Sequence, residues 1–270
     1  MKTTIGLALS GGGARGIAHI GVLAALEKYG VHPEIISGTS IGALVGVLYA
    51  SGYEPESILN LIKTSKLYKV ISWSLPSGGL LDLDKIEKLL RSHIPEDDFS
   101  ALKKRFYCAV TNLNSGKSEI ISSGKLIDYV LASASIPIVF EPRIINGQTY
   151  VDGGILNNLP IEPLLDQADV IVGVHVNHNE ELKEVSGIKA IAERSFRLAI
   201  SKNVEDKFDR CNLVIDPPAM QQYSVFDFSK ADEIYAVGFS EAENRILQFS
   251  NLLDLEQLIA EKKSRQEKNN

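Results

Sequence analysis

Residues 34–50 read Glu34-Ile35-Ile36-Ser37-Gly38-Thr39-Ser40-Ile41-Gly42-Ala43-Leu44-Val45-Gly46-Val47-Leu48-Tyr49-Ala50. A short apolar run, the pentapeptide G-x-S-x-G at 38–42 and a second, longer apolar run follow one another without a break. This order predicts a strand, a tight turn carrying Ser40 and a buried helix. Gly38 and Gly42 leave room for a strained turn that lifts the Ser40 hydroxyl to the end of a sheet. The following helix would point its N-terminal amides at that hydroxyl, where they favour developing negative charge. A strand-to-helix turn that merely contains a serine is the plain alternative.

The same alternation extends in both directions. Thr3 to Leu9 is a short apolar strand, and Ala14 to Tyr29 a helix stopped by Gly30. Pro55 opens a further helix, at the position where proline is best tolerated. Asp82 is expected to cap a helix from Leu83 to His93. Phe106 to Val110 and Ser118 to Ile121 form a strand pair, Leu126 to Ser133 a helix, and Arg143 to Val151 a hairpin turning on Asn146-Gly147. Asp169 to Val176 reads as a strand buried on both faces, Ser186 to about Phe208 as one long helix, and Leu213 to Ile215 as a last strand. Ala231 to Ala260 would form one or two helices. Strands alternating with helices predict a mainly parallel sheet between helical layers, with no internal repeat and no linker.

Composition narrows the function classes. The 270 residues suffice for one large domain, and 44% apolar content suits a buried core. The net charge of −6 and the lack of a basic stripe argue against a nucleic-acid partner. Residues 261–270 form a basic tail, Lys262, Lys263, Arg265 and Lys268 against Glu261 and Glu267, expected to be frayed. Cys108 and Cys211 lie in apolar runs and read as reduced, buried thiols. The apolar stretch near Met1 is too short for a signal peptide, and the uncharged run 35–53 is too rich in glycine and serine for a membrane span. Residues 70–81, uncharged and containing Trp73, read as a surface-facing apolar loop.

Three constellations could carry chemistry. Gly11-Gly12-Gly13-Ala14-Arg15-Gly16 ends a strand and opens a helix, leaving backbone N–H groups uncovered. Such a loop serves as an oxyanion hole, as a dinucleotide site (Gly11-x-Gly13-x-x-Gly16 with Glu34 beyond) or as a simple turn. Asp152, followed by Gly153 and Gly154, is either a turn-forming aspartate or a general base for Ser40, 112 residues away. Of five histidines, His175 and His178 follow Asp152 and could complete a Ser-Asp-His order. His175 falls inside an apolar strand and His178 in a loop, while His19 is expected to pack on the first helix. No grouping of His, Cys and carboxylates has metal-ligand spacing, so neither a metal nor another cofactor is predicted.

Taken in order, the glycine loop 11–16, Gly38-Thr39-Ser40-Ile41-Gly42, Ser133-Ala134-Ser135-Ile136-Pro137 and Asp152-Gly153-Gly154 resemble the patatin-like phospholipases. The likeness covers about residues 5–170, the catalytic region, with 171–260 completing the same domain. It implies a three-layer α/β/α sandwich and a Ser-Asp dyad without histidine. By that resemblance Ser40 is the nucleophile and Asp152 the base. The amides of Gly11, Gly12 and Gly13 form the oxyanion hole, and Arg15 supports the loop or its charge. The implied activity is hydrolysis of carboxylic esters of phospholipids, lysophospholipids or acylglycerols. A cytoplasmic protein with peripheral contact at the inner membrane face is the matching expectation, and the loop around Trp73 a candidate lid or membrane contact. Two other readings stay open: a Ser-Asp-His esterase using His175, and a non-catalytic nucleotide- or acyl-binding protein using the glycine loop.

Overall fold

The computed structural model describes residues 3–64, 83–178, 185–226 and 228–267. The loop at 70–81, with Trp73, and the cap at Asp82 therefore lie outside the described residues. Among those described, eight strands form one sheet. They are β1 (Ile5–Leu9), β2 (Ile35–Thr39), β3 (Arg105–Asn112), β4 (Lys117–Ile121), β5 (Arg143–Ile145), β6 (Gln148–Asp152), β7 (Val170–Val174) and β8 (Leu213–Ile215). The order is β5-β6-β3-β2-β1-β7-β8, with β4 attached to β3. The run β3-β2-β1-β7-β8 is parallel, and β4, β5 and β6 are antiparallel additions.

The register of β3 explains how distant parts of the chain meet. β2 pairs with its first half, Thr39 lying opposite Ala109. β4 occupies the other edge from Cys108 onward. β6 pairs with Val110 to Asn112, where β4 already holds that other edge, so β6 must continue the edge that β2 leaves. Thr39 and Asp152 therefore face consecutive residues of β3, Ala109 and Val110. The end of β2 and the end of β6 converge head to head.

The helices are α1 (Ile17–Lys28), α2 (Ile41–Ala50), α3 (Pro55–Thr64), α4 (Asp84–His93), α5 (Leu126–Ser133), α6 (Ile188–Lys202), α7 (Glu205–Phe208) and α8 (Ala231–Glu267). Side chains alternate across the sheet, as a pleated strand requires. Leu7, Leu9 and Ile36 enter a large core with residues of α1, α2, α3, α5 and α8. Ala8, Ile35 and Ile171 face the other way, onto Leu159, Leu164 and Val204. The result is a three-layer α/β/α sandwich whose second helical layer is thin.

Three boundaries differ from those expected from sequence. The first helix begins as a tight 3₁₀ turn at Gly13–Gly16, because Gly13 takes φ 57° and Ala14 N–H is bonded to the Val225 carbonyl. The helix expected over 186–208 is interrupted after Lys202, where Asn203 turns its amide to the 154–158 loop. The last helix continues past Ala260 to Glu267, since no proline or glycine follows Gly238.

Candidate active site

Ser40 sits between β2 and α2 with φ 55° and ψ −124°, a conformation that costs a non-glycine residue on the order of 1–3 kcal/mol. Such strain persists only where the surroundings over-determine it. Here the Ser40 N–H donates to Ser133 Oγ at 2.8 Å, and Ser133 Oγ donates to the Ala109 carbonyl at 2.6 Å. The Ser40 carbonyl accepts the Ala43 and Leu44 N–H groups, starting α2. Backbone lies on backbone at both glycines of the pentapeptide. A Cβ on Gly38 would meet the Gly42 carbonyl oxygen at 2.5 Å, and one on Gly42 would meet the carbonyls of Leu9 and Ser10. Larger residues at either position would push the turn apart.

Asp152 ends β6 and is 4% exposed. Its N–H donates to the Ser135 carbonyl at 2.9 Å, so the end of α5 and the residues just after it hold both halves of the site: Ser133 holds Ser40, and Ser135 holds Asp152. Burial pushes the Asp152 carboxyl up to about 6, while hydrogen bonds from the Ser40 hydroxyl and the Gly154 N–H pull it down. The Gly154 N–H donates to Oδ1 at 2.7 Å. Gly153 lies against the Ala109 carbonyl, closing the corner between β6 and β3. Ser40 and Asp152, 112 residues apart in sequence, thus share one buried corner.

The glycine loop follows β1 and passes beside this corner. A Cβ on Gly11 would lie 3.1 Å from the Ser40 Cβ. The Gly11 N–H, however, is bonded to Asn158, at 3.1 Å to Oδ1 and 3.3 Å to the carbonyl. This corrects the expectation of three free amides. Among the described residues, only Gly12 and Gly13 keep loop N–H groups without a protein acceptor, and Gly13 lines the same pocket as Ser40. Arg15 is 1% exposed and donates to the carbonyls of Tyr223, at 2.8 Å, and Gln221. Its charge is directed at that backbone, so it fastens the start of the first helix to the 218–223 turn. His19 donates from Nε2 to the Ser10 carbonyl at 2.7 Å, and burial lowers its pKa to about 4, which keeps the ring neutral.

Asn158, Asn203 and Ser133 carry much of this geometry, and sequence reasoning assigned none of them a role. Asn203 accepts the Asn158 N–H at 2.8 Å and donates to the Gly154 carbonyl, bracing the loop that follows Asp152. The doublet Asn157-Asn158 just beyond Asp152-Gly153-Gly154 was the available signal. The interruption at Asn203 left none.

His175 is buried but belongs to another cluster. Its Nδ1 bonds Asp216 at 3.0 Å and its ring meets Phe208 edge-on at 5.6 Å. His178 bonds the other oxygen of the same carboxylate at 2.8 Å. The dinucleotide reading also loses its acidic partner. Glu34 precedes β2, at the opposite end of that strand from the glycine loop, and accepts the Ile5 N–H at 2.9 Å. Burial raises both cysteine thiols, Cys108 to about 12 and Cys211 to about 11, and the two are unpaired.

The pocket at Ser40 is apolar. Ile41, Leu44, Ile86, Ile136, Phe140 and Phe228 are among its walls. A second pocket shares Ile41, Leu44, Ile86 and Phe228 with it and continues past Leu48, Ile62 and Leu90.

A strained serine turn, a buried carboxylate beside it and a glycine loop on an α/β/α sheet define a class, and the comparisons agree. The family model described as patatin-like phospholipase matches residues 7–165, and the chain belongs to that family. Its relatives include lysophospholipase NTE1 of Kluyveromyces lactis, 30% identical over 272 residues, covering 87% of this chain and 19% of that protein. NTE1 of Coccidioides immitis is 32% identical over 275 residues, covering 87% and 17%. The chain thus spans about a fifth of the length of these relatives. In fold it is similar to VipD from Legionella pneumophila, with a TM-score of 0.53 over 92% of this chain and 67% of that one at 17% identity.

Proposed function

We propose that the protein is a serine-dependent lipid acyl hydrolase working through a Ser40–Asp152 dyad. The observation that carries this is the shared buried corner, in which the Ser40 hydroxyl hydrogen-bonds a carboxylate whose pKa is raised to about 6. A carboxylate of that strength is ionised at neutral pH yet basic enough to accept a proton during attack. Ser40 Oγ attacks the ester carbonyl carbon as Asp152 takes its proton. The carbonyl oxygen becomes an oxyanion held by the Gly12 and Gly13 amides, and each such donor is worth about 3–4 kcal/mol in the transition state. Collapse expels the alcohol or lysolipid, which takes the proton from Asp152. Water, deprotonated by Asp152, then attacks the acyl-serine, and Ser40 leaves with the proton restored.

The apolar pocket beside Ser40 supports a fatty acyl substrate, because its walls offer van der Waals contact to a hydrocarbon and few polar partners. The lysophospholipase names of the relatives point the same way, toward lysophospholipid esters. Among the described residues no helix is long and apolar enough to cross a membrane. We place the enzyme in the cytoplasm, working at the membrane surface; the two unpaired thiols, Cys108 buried and Cys211 half-buried, fit a reducing compartment. Hydrolysis of p-nitrophenyl esters and lysophosphatidylcholine by wild type and Ser40→Ala tests the reading. Loss of activity in a folded variant supports it, and full retained activity refutes it.

A further inference from the structure

Residues 136–140 form a tight turn, closed by the Val139 and Phe140 N–H groups donating to the Ile136 carbonyl at 3.2 and 2.9 Å. At its tip Ile138 has φ 72° and is 85% exposed. A β-branched side chain in the left-handed region is a genuine outlier, since its Cβ crowds the following carbonyl. The other non-glycine residues with positive φ among those described are Ser40, Asp97 and Asn146, all polar. Ile138 is thus unfavourable twice, in backbone conformation and in apolar exposure. Among the described residues, no hydrogen bond or core contact of the Ile138 side chain offsets either cost.

Position gives the tip a use. The residues on either side, Ile136 and Phe140, line the pocket that contains Ser40. The Ser135 carbonyl, one step earlier, holds Asp152. The turn is therefore rigidly joined to the catalytic corner and projects beside its mouth. From Ser133 to Phe140 the chain carries no charge, so sinking this tip into an apolar medium desolvates no ion. The chain as a whole carries −6, which offers no general attraction to anionic headgroups.

We infer that Ile138 is an interfacial anchor, inserted into an aggregated lipid surface so that the pocket mouth beside Ser40 opens onto the acyl chains. The inference rests on the acyl-hydrolase reading for its purpose, but not for its measurement. Insertion is apolar, so it acts on zwitterionic phosphatidylcholine vesicles and is insensitive to ionic strength. Removing the side chain leaves chemistry on monomeric esters intact.

Ile138→Asn and Ile138→Gly test this, both residues being at home at positive φ. Flotation with phosphatidylcholine vesicles at low and high salt reads binding, and p-nitrophenyl butyrate hydrolysis reads the soluble reaction. Both variants are expected to bind vesicles about tenfold more weakly, as burial of one isoleucine predicts. Both should hydrolyse vesicle substrate correspondingly more slowly, with butyrate turnover unchanged. Ile138→Gly should also raise the unfolding temperature by about 2–4 °C, because the strain is gone. Stability and vesicle binding then move in opposite directions, which a packing role for Ile138 would not produce. Wild-type-like vesicle binding in both variants overturns the inference, as does an equal fall on butyrate and vesicles. If Ile138-dependent flotation persists while no Ser40-dependent hydrolysis exists, the enzymatic reading fails instead.

Discussion

Ser133 Oγ accepts the Ser40 backbone N–H at 2.8 Å and donates to the Ala109 carbonyl at 2.6 Å, so one hydroxyl ties the Ser40 turn to β3. Ser133→Ala would leave the Ser40 N–H buried and unbonded, an imbalance worth about 1–3 kcal/mol. The turn relaxes, Ser40 moves off Asp152, and the hydrogen bond that lowers the Asp152 pKa weakens. The expected result is a 10–100-fold lower kcat/KM (about 1–3 kcal/mol) with the acid limb of the pH profile shifted upward. Ser135→Ala is the control. That hydroxyl is equally buried but bonds only the Leu131 carbonyl of the preceding helix, so the limb should stay in place.

With Asp152 as the proposed base, activity and stability are predicted to follow opposite pH trends. Its folded pKa is about 6, against about 3.9 for an unperturbed aspartate. Between those values the folded chain holds a proton that the unfolded chain has released. The stability contributed by this group is therefore fully present below the lower value and is lost as pH rises through about 6. Activity needs the ionised base and falls as pH drops below about 6. Asp152→Asn should be inactive on esters yet at least as stable as wild type at pH 7, by up to about 3 kcal/mol. Thermal melts of both proteins across pH 4–8 check the sign.

On the proposed acyl-hydrolase mechanism, the second apolar pocket, past Leu48 and Ile62, is predicted to limit acyl length. Ile41, Leu44 and Leu48 lie on one face of α2. Seven residues of helix rise about 10 Å, roughly eight methylene groups of an extended chain. Leu48→Trp should shorten the preferred ester, lowering kcat/KM for laurate esters about tenfold while sparing butyrate. A parallel loss on both would show that the substitution disturbs the fold rather than the far end of the pocket.

The fold was legible in the sequence because its elements announce themselves locally. Apolar runs of strand length end at glycine, Asn146-Gly147 forms a hairpin, and the residues around Ser40 allow only a strand-turn-helix. The residues that hold the site together were not legible. Ser133 and Asn158 act across 93 and 147 residues of sequence, through hydroxyl and amide groups common on any surface. Asn203 works by interrupting a helix that propensity alone would continue. Gly11 shows the opposite failure: the loop was found, but whether its N–H was free depended on Asn158.

The meeting of Ser40 and Asp152 rests on the register by which β2 and β6 share one edge of β3. No periodicity in the sequence reports that arrangement. His175 is set apart by a different partner, Asp216.

The central claim is a serine nucleophile served by an aspartate alone. Reaction with a fluorophosphonate probe, mapped by mass spectrometry in wild type, Asp152→Asn and His175→Ala, tests it most directly. The account predicts label on Ser40 in wild type and in His175→Ala at similar rates, and little or none in Asp152→Asn. Absence of label on Ser40, or its loss in a folded His175→Ala protein, would contradict it.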